Sequence, residues 1–179
     1  MKTIDTYMKQ IIQREKGNAL AIGSTEVMLT ALDENDAISI CDVLSKENHK
    51  GEKKSIFRKK SKTFNFKKMR KTFQKKKKDI VIGDILELER YMKTFIRDSI
   101  YITKGTIYLF IENPNYDFDL LIKRYKRFGV DCRLVSVQDG AILVIPVDNA
   151  KNHYWKEKFY YIIDTLIDII DIIGDALVS

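Results

Sequence analysis

The apolar positions of this 179-residue chain fall into short runs separated by polar turns, and their spacing switches between two periods. Ile4, Tyr7, Met8, Ile11 and Ile12 recur at three- and four-residue intervals, the stripe of an amphipathic helix, which Gly17-Asn18 stops. Residues 19–22, Ala-Leu-Ala-Ile, form a continuous apolar run that ends at Gly23 and predicts a buried strand. Ser24 or Thr25 then caps a helix through Leu32, and residues 37–41 make a second apolar run ending at Asp42. Strand, helix and strand in so short a span predict a βαβ unit.

The pattern lapses over residues 50–78 and resumes at Asp79, with Ile80-Val81-Ile82-Gly83 predicting a strand. Leu88, Tyr91, Met92, Phe95, Ile96 and Ser99 keep helical spacing, and Lys104-Gly105 is expected to turn the chain into a strand over residues 106–111. Asn113-Pro114-Asn115 breaks that strand, and Phe118, Leu121, Ile122, Tyr125 and Phe128 predict the next helix, which Gly129 ends. Runs at 132–137 and 141–147 flank Gln138-Asp139-Gly140. That Asp-Gly pair predicts a hairpin with a type I′ turn, which needs positive φ at both central residues. Pro146, near the end of the second run, marks a position whose N–H the ladder does not need.

Residues 153–178 predict a long helix, apolar over most of its circumference, with Asp164, Asp168, Asp171 and Asp175 on one narrow stripe. Such a helix must be buried on two sides, in a groove of the domain or against its counterpart in a homodimer. The four carboxylates exclude it as a membrane span, since each costs about 2.5–3.5 kcal/mol at the bilayer centre. The whole pattern predicts one domain over residues 1–179 of the α/β class. Its form is a doubly wound, mostly parallel sheet with a C-terminal antiparallel hairpin and an extra C-terminal helix.

Charge changes this picture at one place. Residues 50–78 hold 15 Lys/Arg against the single acid Glu52, so this window carries +14 while the whole chain carries +7. The body is therefore acidic and the segment strongly basic. Ile56, Phe57, Phe64, Phe66, Met69 and Phe73 interleave with the charges, and some helix is expected near residues 66–74. Cations with interspersed aromatics fit a chain that neutralises phosphates and stacks bases. Lys53, Lys54, Arg58, Lys59, Lys60, Lys67, Lys68, Arg70 and Lys71 are the candidate nucleic-acid contacts. An acidic protein surface and an anionic lipid surface are the other partners such a run can meet.

Other chemistry is sparse. Cys41 and Cys132 lie far apart inside apolar runs, which reads as two reduced, buried thiols. His49 and His153 have no ligand-spaced companions, and no metal site, nucleophile elbow or Walker loop is present. The first fourteen residues are charged throughout, with no apolar run of the secretory kind, so a cytoplasmic location is expected.

The order of elements over residues 19–147 resembles the class I S-adenosylmethionine-dependent methyltransferase fold, a Rossmann-like fold whose last strand runs antiparallel to its neighbours. The resemblance places a cofactor loop at Ala21-Ile22-Gly23-Ser24-Thr25-Glu26 and a ribose-binding acid at Asp42, 19 residues after Gly23. It places Gly83 and Asp84 beside the methyl-transfer site, so Gly23, Ser24, Asp42, Gly83 and Asp84 are the candidate cofactor residues. It assigns no catalytic residue. The loop has one glycine where the family has two or three, the Asn/Asp-Pro-Pro-aromatic motif is absent after Ile82, and lysines occupy the region of the third strand. Two functions follow from the resemblance and the charge together. One is a methyltransferase-like protein that binds S-adenosylmethionine and is catalytically reduced, whose basic segment contacts nucleic acid. The other is a non-catalytic nucleic-acid-binding or scaffold protein that kept the fold and lost the ligand.

Overall fold

Thr3 starts the first helix: its hydroxyl accepts the Thr6 N–H, and α1 (Ile4–Ile12) then buries Ile4, Met8 and Ile12 along one side. The computed structural model describes residues 2–23, 25–44, 69, 73, 75 and 77–147. After α1 come β1 (Gly17–Ile22), α2 (Glu26–Asp33) and β2 (Ile38–Leu44). The described chain resumes with β3 (Lys78–Asp84), a short α3 (Ile85–Leu88) and a 3-10 turn, Glu89–Tyr91, that leads into α4 (Met92–Ile102). It closes with β4 (Thr103–Ile111), α5 (Asp119–Arg127), β5 (Arg133–Ser136) and β6 (Ala141–Pro146). Of the two cap candidates for α2, Thr25 is the one used, its hydroxyl accepting the Met28 N–H.

The strands form one six-stranded sheet in the order β2-β1-β3-β4-β6-β5. β1 is parallel to β2 and to β3, and β3 is parallel to β4. β6 runs antiparallel to both β4 and β5. The sheet is thus α/β and mostly parallel with a C-terminal antiparallel pair, as the alternation of elements predicts.

Apolar runs buried on both sides need helices on both faces, and two layers supply them. On one face α1 and α2 place Met8, Ile12, Met28 and Leu32 over Ala19, Ala21, Ile80 and Ile82. On the other, α4 and α5 place Phe95, Ile96, Leu121 and Tyr125 over Val81, Ile107, Leu109 and Leu143. Fully burying side chains of this size contributes about 1.5–3 kcal/mol each.

Three local expectations need correction. Lys104-Gly105 is not a turn into β4, because the strand already begins at Thr103. The register steps from Lys78↔Thr103 to Ile80↔Thr106, so β4 carries an extra residue there, a bulge. Gly105 is needed because a Cβ would stand 2.1 Å from the Asp79 carbonyl oxygen.

The Asp139–Gly140 hairpin exists, with Val135↔Ile142 and Ser136↔Ala141 paired, but its turn is not type I′. The left-handed glycines among the described residues are Gly17, Gly23 and Gly129, and four residues separate the strands. The Val137 N–H donates to the Gly140 carbonyl, and Gly140 lies tight against the Ile111 carbonyl, where a Cβ would come within 2.2 Å. Asp139 reaches instead to the start of α1 and accepts the Ile4 N–H at 2.7 Å. The third correction is β2, which continues past Asp42 to Leu44.

Within the expected helix at 66–74, Met69 is helical and buried, and its carbonyl accepts the Phe73 N–H. The other positions of that expected helix, the cations Lys53 to Lys71 named above, Ser24 and the helix expected over 153–178 lie outside the described residues. Among the described residues, no helix is long and apolar enough to cross a membrane.

Candidate functional site at the carboxyl ends of β1 and β3

In an open parallel sheet, ligands bind where strands end and helices begin. β1 ends at Gly23 with φ +85°, a left-handed conformation that bends the chain sharply toward Thr25 and α2. Next to it β3 ends at Asp84, in register one step beyond the Ile22↔Gly83 pair. Asp84 caps α3, its Oδ1 accepting the Leu86 N–H at 2.8 Å.

The two strand ends are close. A Cβ on Gly23 would meet the Asp84 Cβ at 2.8 Å and the Glu87 Cγ at 3.2 Å. One Glu87 carboxylate oxygen is enclosed there. The structure therefore brings Gly23, Gly83 and Asp84 together and adds Glu87, an acid in the short α3 that no sequence motif marks. Gly83 serves packing: a Cβ on it would meet Leu88 at 2.8 Å and Leu109 at 3.2 Å, both core side chains.

Asp42 is not brought to this group. It pairs in register with Leu20, three residues before Gly23, which is ~10 Å along an extended strand. Its carboxylate receives the Lys78 ammonium at 2.5 Å, and the same ammonium donates to the Ala19 carbonyl at 2.8 Å. Lys78 is only 4% exposed and its Nζ lies 5.3 Å from the centre of the Phe73 ring, within reach of a cation–π contact. A lysine at the end of the basic segment thus bridges from β3 across β1 to β2. Nothing in the sequence separates Lys78 from fourteen similar cations except that it adjoins a buried strand.

Asp79 forms a second tie at the same end of the sheet. It accepts the Asn18 N–H at 2.8 Å and meets the Lys104 ammonium at 2.8 Å. Burial alone would raise its pKa, but the Asn18 N–H and the Lys104 and Lys78 charges outweigh that and hold it below the ordinary carboxylate value. Neither thiol is poised to react. Burial, opposed by the nearby Lys78 charge, pushes Cys41 up to about 12, and burial pushes Cys132 up to about 11. Among the described residues, no group of His, Cys, Asp or Glu is placed to hold a metal ion.

No family model matches the sequence, and no curated protein matches it. Solved structures do match the fold. The spermidine synthase of Thermotoga maritima is 13% identical, with a TM-score of 0.58 over 83% of this chain and 61% of its own. A spermidine synthase in complex with the transition-state analogue AdoDATO gives the same identity and score, with 60% of its chain covered. A methyltransferase from Pyrococcus furiosus is 13% identical, with a TM-score of 0.45. This chain has a class I methyltransferase-like fold. It spans about three fifths of the length of the spermidine synthases it matches. The strand order explains the match: β3 and β4 take the places of that fold's fourth and fifth strands, and β5 and β6 form its terminal antiparallel pair.

Proposed function

We propose that this protein is a catalytically reduced member of the methyltransferase-like fold that binds nucleic acid. The observation that carries the reading is the Lys78–Asp42–Ala19 bridge. The acid expected to hold a ribose is engaged by the last lysine of the basic segment, so the residue that would serve a cofactor anchors that segment to the sheet instead. The residues present do not suit an adenosyl group. Asp42 stands away from the crevice, Asp84 and Glu87 fill the space beside Gly23, and core side chains fill the space beside Gly83. No reaction step is therefore assigned to the crevice.

The segment itself supplies the binding chemistry. Its +14 charge is the footprint of a chain that displaces counterions from phosphates, and its phenylalanines offer stacking faces. Binding of duplex DNA by the full-length protein, followed across salt concentrations, tests this. Affinity should fall linearly on a log–log scale, by about 0.9 per phosphate neutralised. Affinity that does not change with salt, or no binding at low salt, refutes the reading.

A second reading, retained S-adenosylmethionine binding, is favoured by one observation. Gly23 is left-handed at the end of β1, beside the side chains of two acids, Asp84 and Glu87, so the crevice end is acidic, a setting that favours a cationic ligand. Calorimetric titration with S-adenosylmethionine and S-adenosylhomocysteine separates the two readings.

A further inference from the structure

β1 to β4 run in one direction, and β5 runs with them, because β6 is antiparallel to both β4 and β5. Every segment entering these strands therefore reaches the same, amino-terminal end of the sheet. Lys16 precedes β1, Lys75 and Lys77 precede β3, and Arg133 opens β5. The last turn of α5 delivers Lys126 and Arg127 to that end. All six are exposed. The acids there are partly engaged: Glu15 accepts from the Tyr108 hydroxyl and Asp79 pairs with Lys104. Asp33, Glu34, Asp36 and Asp131 are the others.

The carboxyl end has the opposite sign. Glu26, Asp84, Glu89, Glu112, Asp117 and Asp119 all sit at the end of β3 or in the turns and helices that follow β1, β3 and β4. The folded body therefore carries acids around the crevice and a row of six exposed cations at the far end. Two of the exposed large apolar side chains, Leu86 and Leu120, also lie at the acidic end.

We propose that the amino-terminal edge of the sheet is a nucleic-acid-backbone binding face, formed by Lys16, Lys75, Lys77, Lys126, Arg127 and Arg133. It rests on the nucleic-acid reading above and extends it from the basic segment to the folded body. From β1 to β5 the row crosses four strand spacings, ~19 Å at the usual interval. Duplex DNA carries one charge per ~1.7 Å of axis, so a row of that length lies alongside about eleven phosphates. Lysine and arginine on strand-entry loops position a backbone without reading bases, so binding through this face is sequence-independent. A lipid surface fits less well, because it rewards several apolar side chains beside the cations, and of the exposed large ones only Leu134 adjoins the row. Lys75, Lys77 and the buried Lys78 join the face to the end of the basic segment, so one phosphate backbone can run from segment to edge.

The test uses full-length protein and a short duplex DNA of arbitrary sequence. The triple variant Lys126→Glu, Arg127→Glu, Arg133→Glu should bind at least ~10-fold more weakly at low salt, with a log–log slope shallower by about 0.9 for each phosphate no longer neutralised. If that variant does not fold by circular dichroism, Lys75→Ala with Lys77→Ala carries the test, with a smaller loss in the same direction. A folded variant that keeps wild-type affinity and slope overturns the proposal. A companion variant replacing Lys53, Lys54, Arg58, Lys59 and Lys60 with serine separates the two surfaces. If it alone loses binding, the edge proposal falls and the segment reading stands. If only the edge variants lose binding, the edge stands and the segment reading falls. Wild-type protein that binds anionic vesicles but not DNA overturns both.

Discussion

Gly105→Ala is the substitution whose cost follows most directly from the packing of the sheet. The added Cβ would lie 2.1 Å from the Asp79 carbonyl oxygen and 3.2 Å from its carbon. Ordinary carbon–oxygen contact is more than 1 Å longer, and the obstructing atom is backbone in the neighbouring strand, so no rotamer change relieves it. Either β3 and β4 separate locally or the bulge unwinds, and both disturb the Lys78↔Thr103 and Ile80↔Thr106 pairings. Overpacking of this kind costs about 1–3 kcal/mol, and a fixed backbone atom argues for the upper end. For a chain of this length about 1 kcal/mol moves Tm by about 2–4 °C, so a fall of about 4–10 °C is expected. Thermal unfolding followed by circular dichroism measures it, with Lys104→Ala as the comparison. Lys104 is half exposed, and removing its ion pair with Asp79 should cost no more than about 0.5 kcal/mol. A Gly105→Ala protein melting within about 1 °C of wild type would show that the bulge does not hold Gly105 against Asp79.

The same ties give further expectations. Asp42→Ala leaves the buried Lys78 ammonium with the Ala19 carbonyl. The carboxylate is partly exposed, so the cost in urea unfolding should be about 2–3 kcal/mol, below that of a fully enclosed pair, and adding Lys78→Met should recover part of it. Asp139→Ala removes the acceptor of the Ile4 N–H at the start of α1 and should cost about 1 kcal/mol, read as a lower urea midpoint. Asp79 titrates lower in the folded state than its ordinary 3.8. Its contribution to stability is therefore complete above the unfolded pKa and lost as pH falls through the folded one. The stability gap between wild type and Asp79→Asn should narrow below about pH 4, and a gap constant across acid pH would contradict the sign.

The elements that were legible in the sequence are those whose own residues declare their environment. The 4–12 stripe, the apolar runs at 19–22 and 80–82 and the spacing of Leu121 and Tyr125 each became the expected helix or strand, because periodicity alone shows which side is buried. The misreadings involve contacts made by distant partners. Gly105 looks like a turn residue locally, yet it is kept by the Asp79 carbonyl, 26 residues away in sequence. Asp139–Gly140 has the composition of a type I′ turn, yet α1 and β4 hold the loop in another form. At the candidate site, the adjacency of Gly23 and Asp84 followed from strand ends, whereas Asp42 was misplaced because spacing does not reveal how far β2 continues. Lys78 was hidden among like charges, and only the fold shows that it is buried.

Thermal unfolding of the full-length protein, with S-adenosylmethionine or duplex DNA added in separate experiments, tests the proposed function most directly. If Asp42 is tied to Lys78, and Asp84 and Glu87 crowd Gly23, millimolar S-adenosylmethionine should leave Tm unchanged. Duplex DNA should raise it at low salt, and the rise should vanish as salt increases. A ligand at 100 times its Kd adds about 2.7 kcal/mol, which for this size is a shift of about 5–10 °C. A shift of that size with S-adenosylmethionine, and none with DNA, would contradict the proposal and restore the cofactor to the crevice.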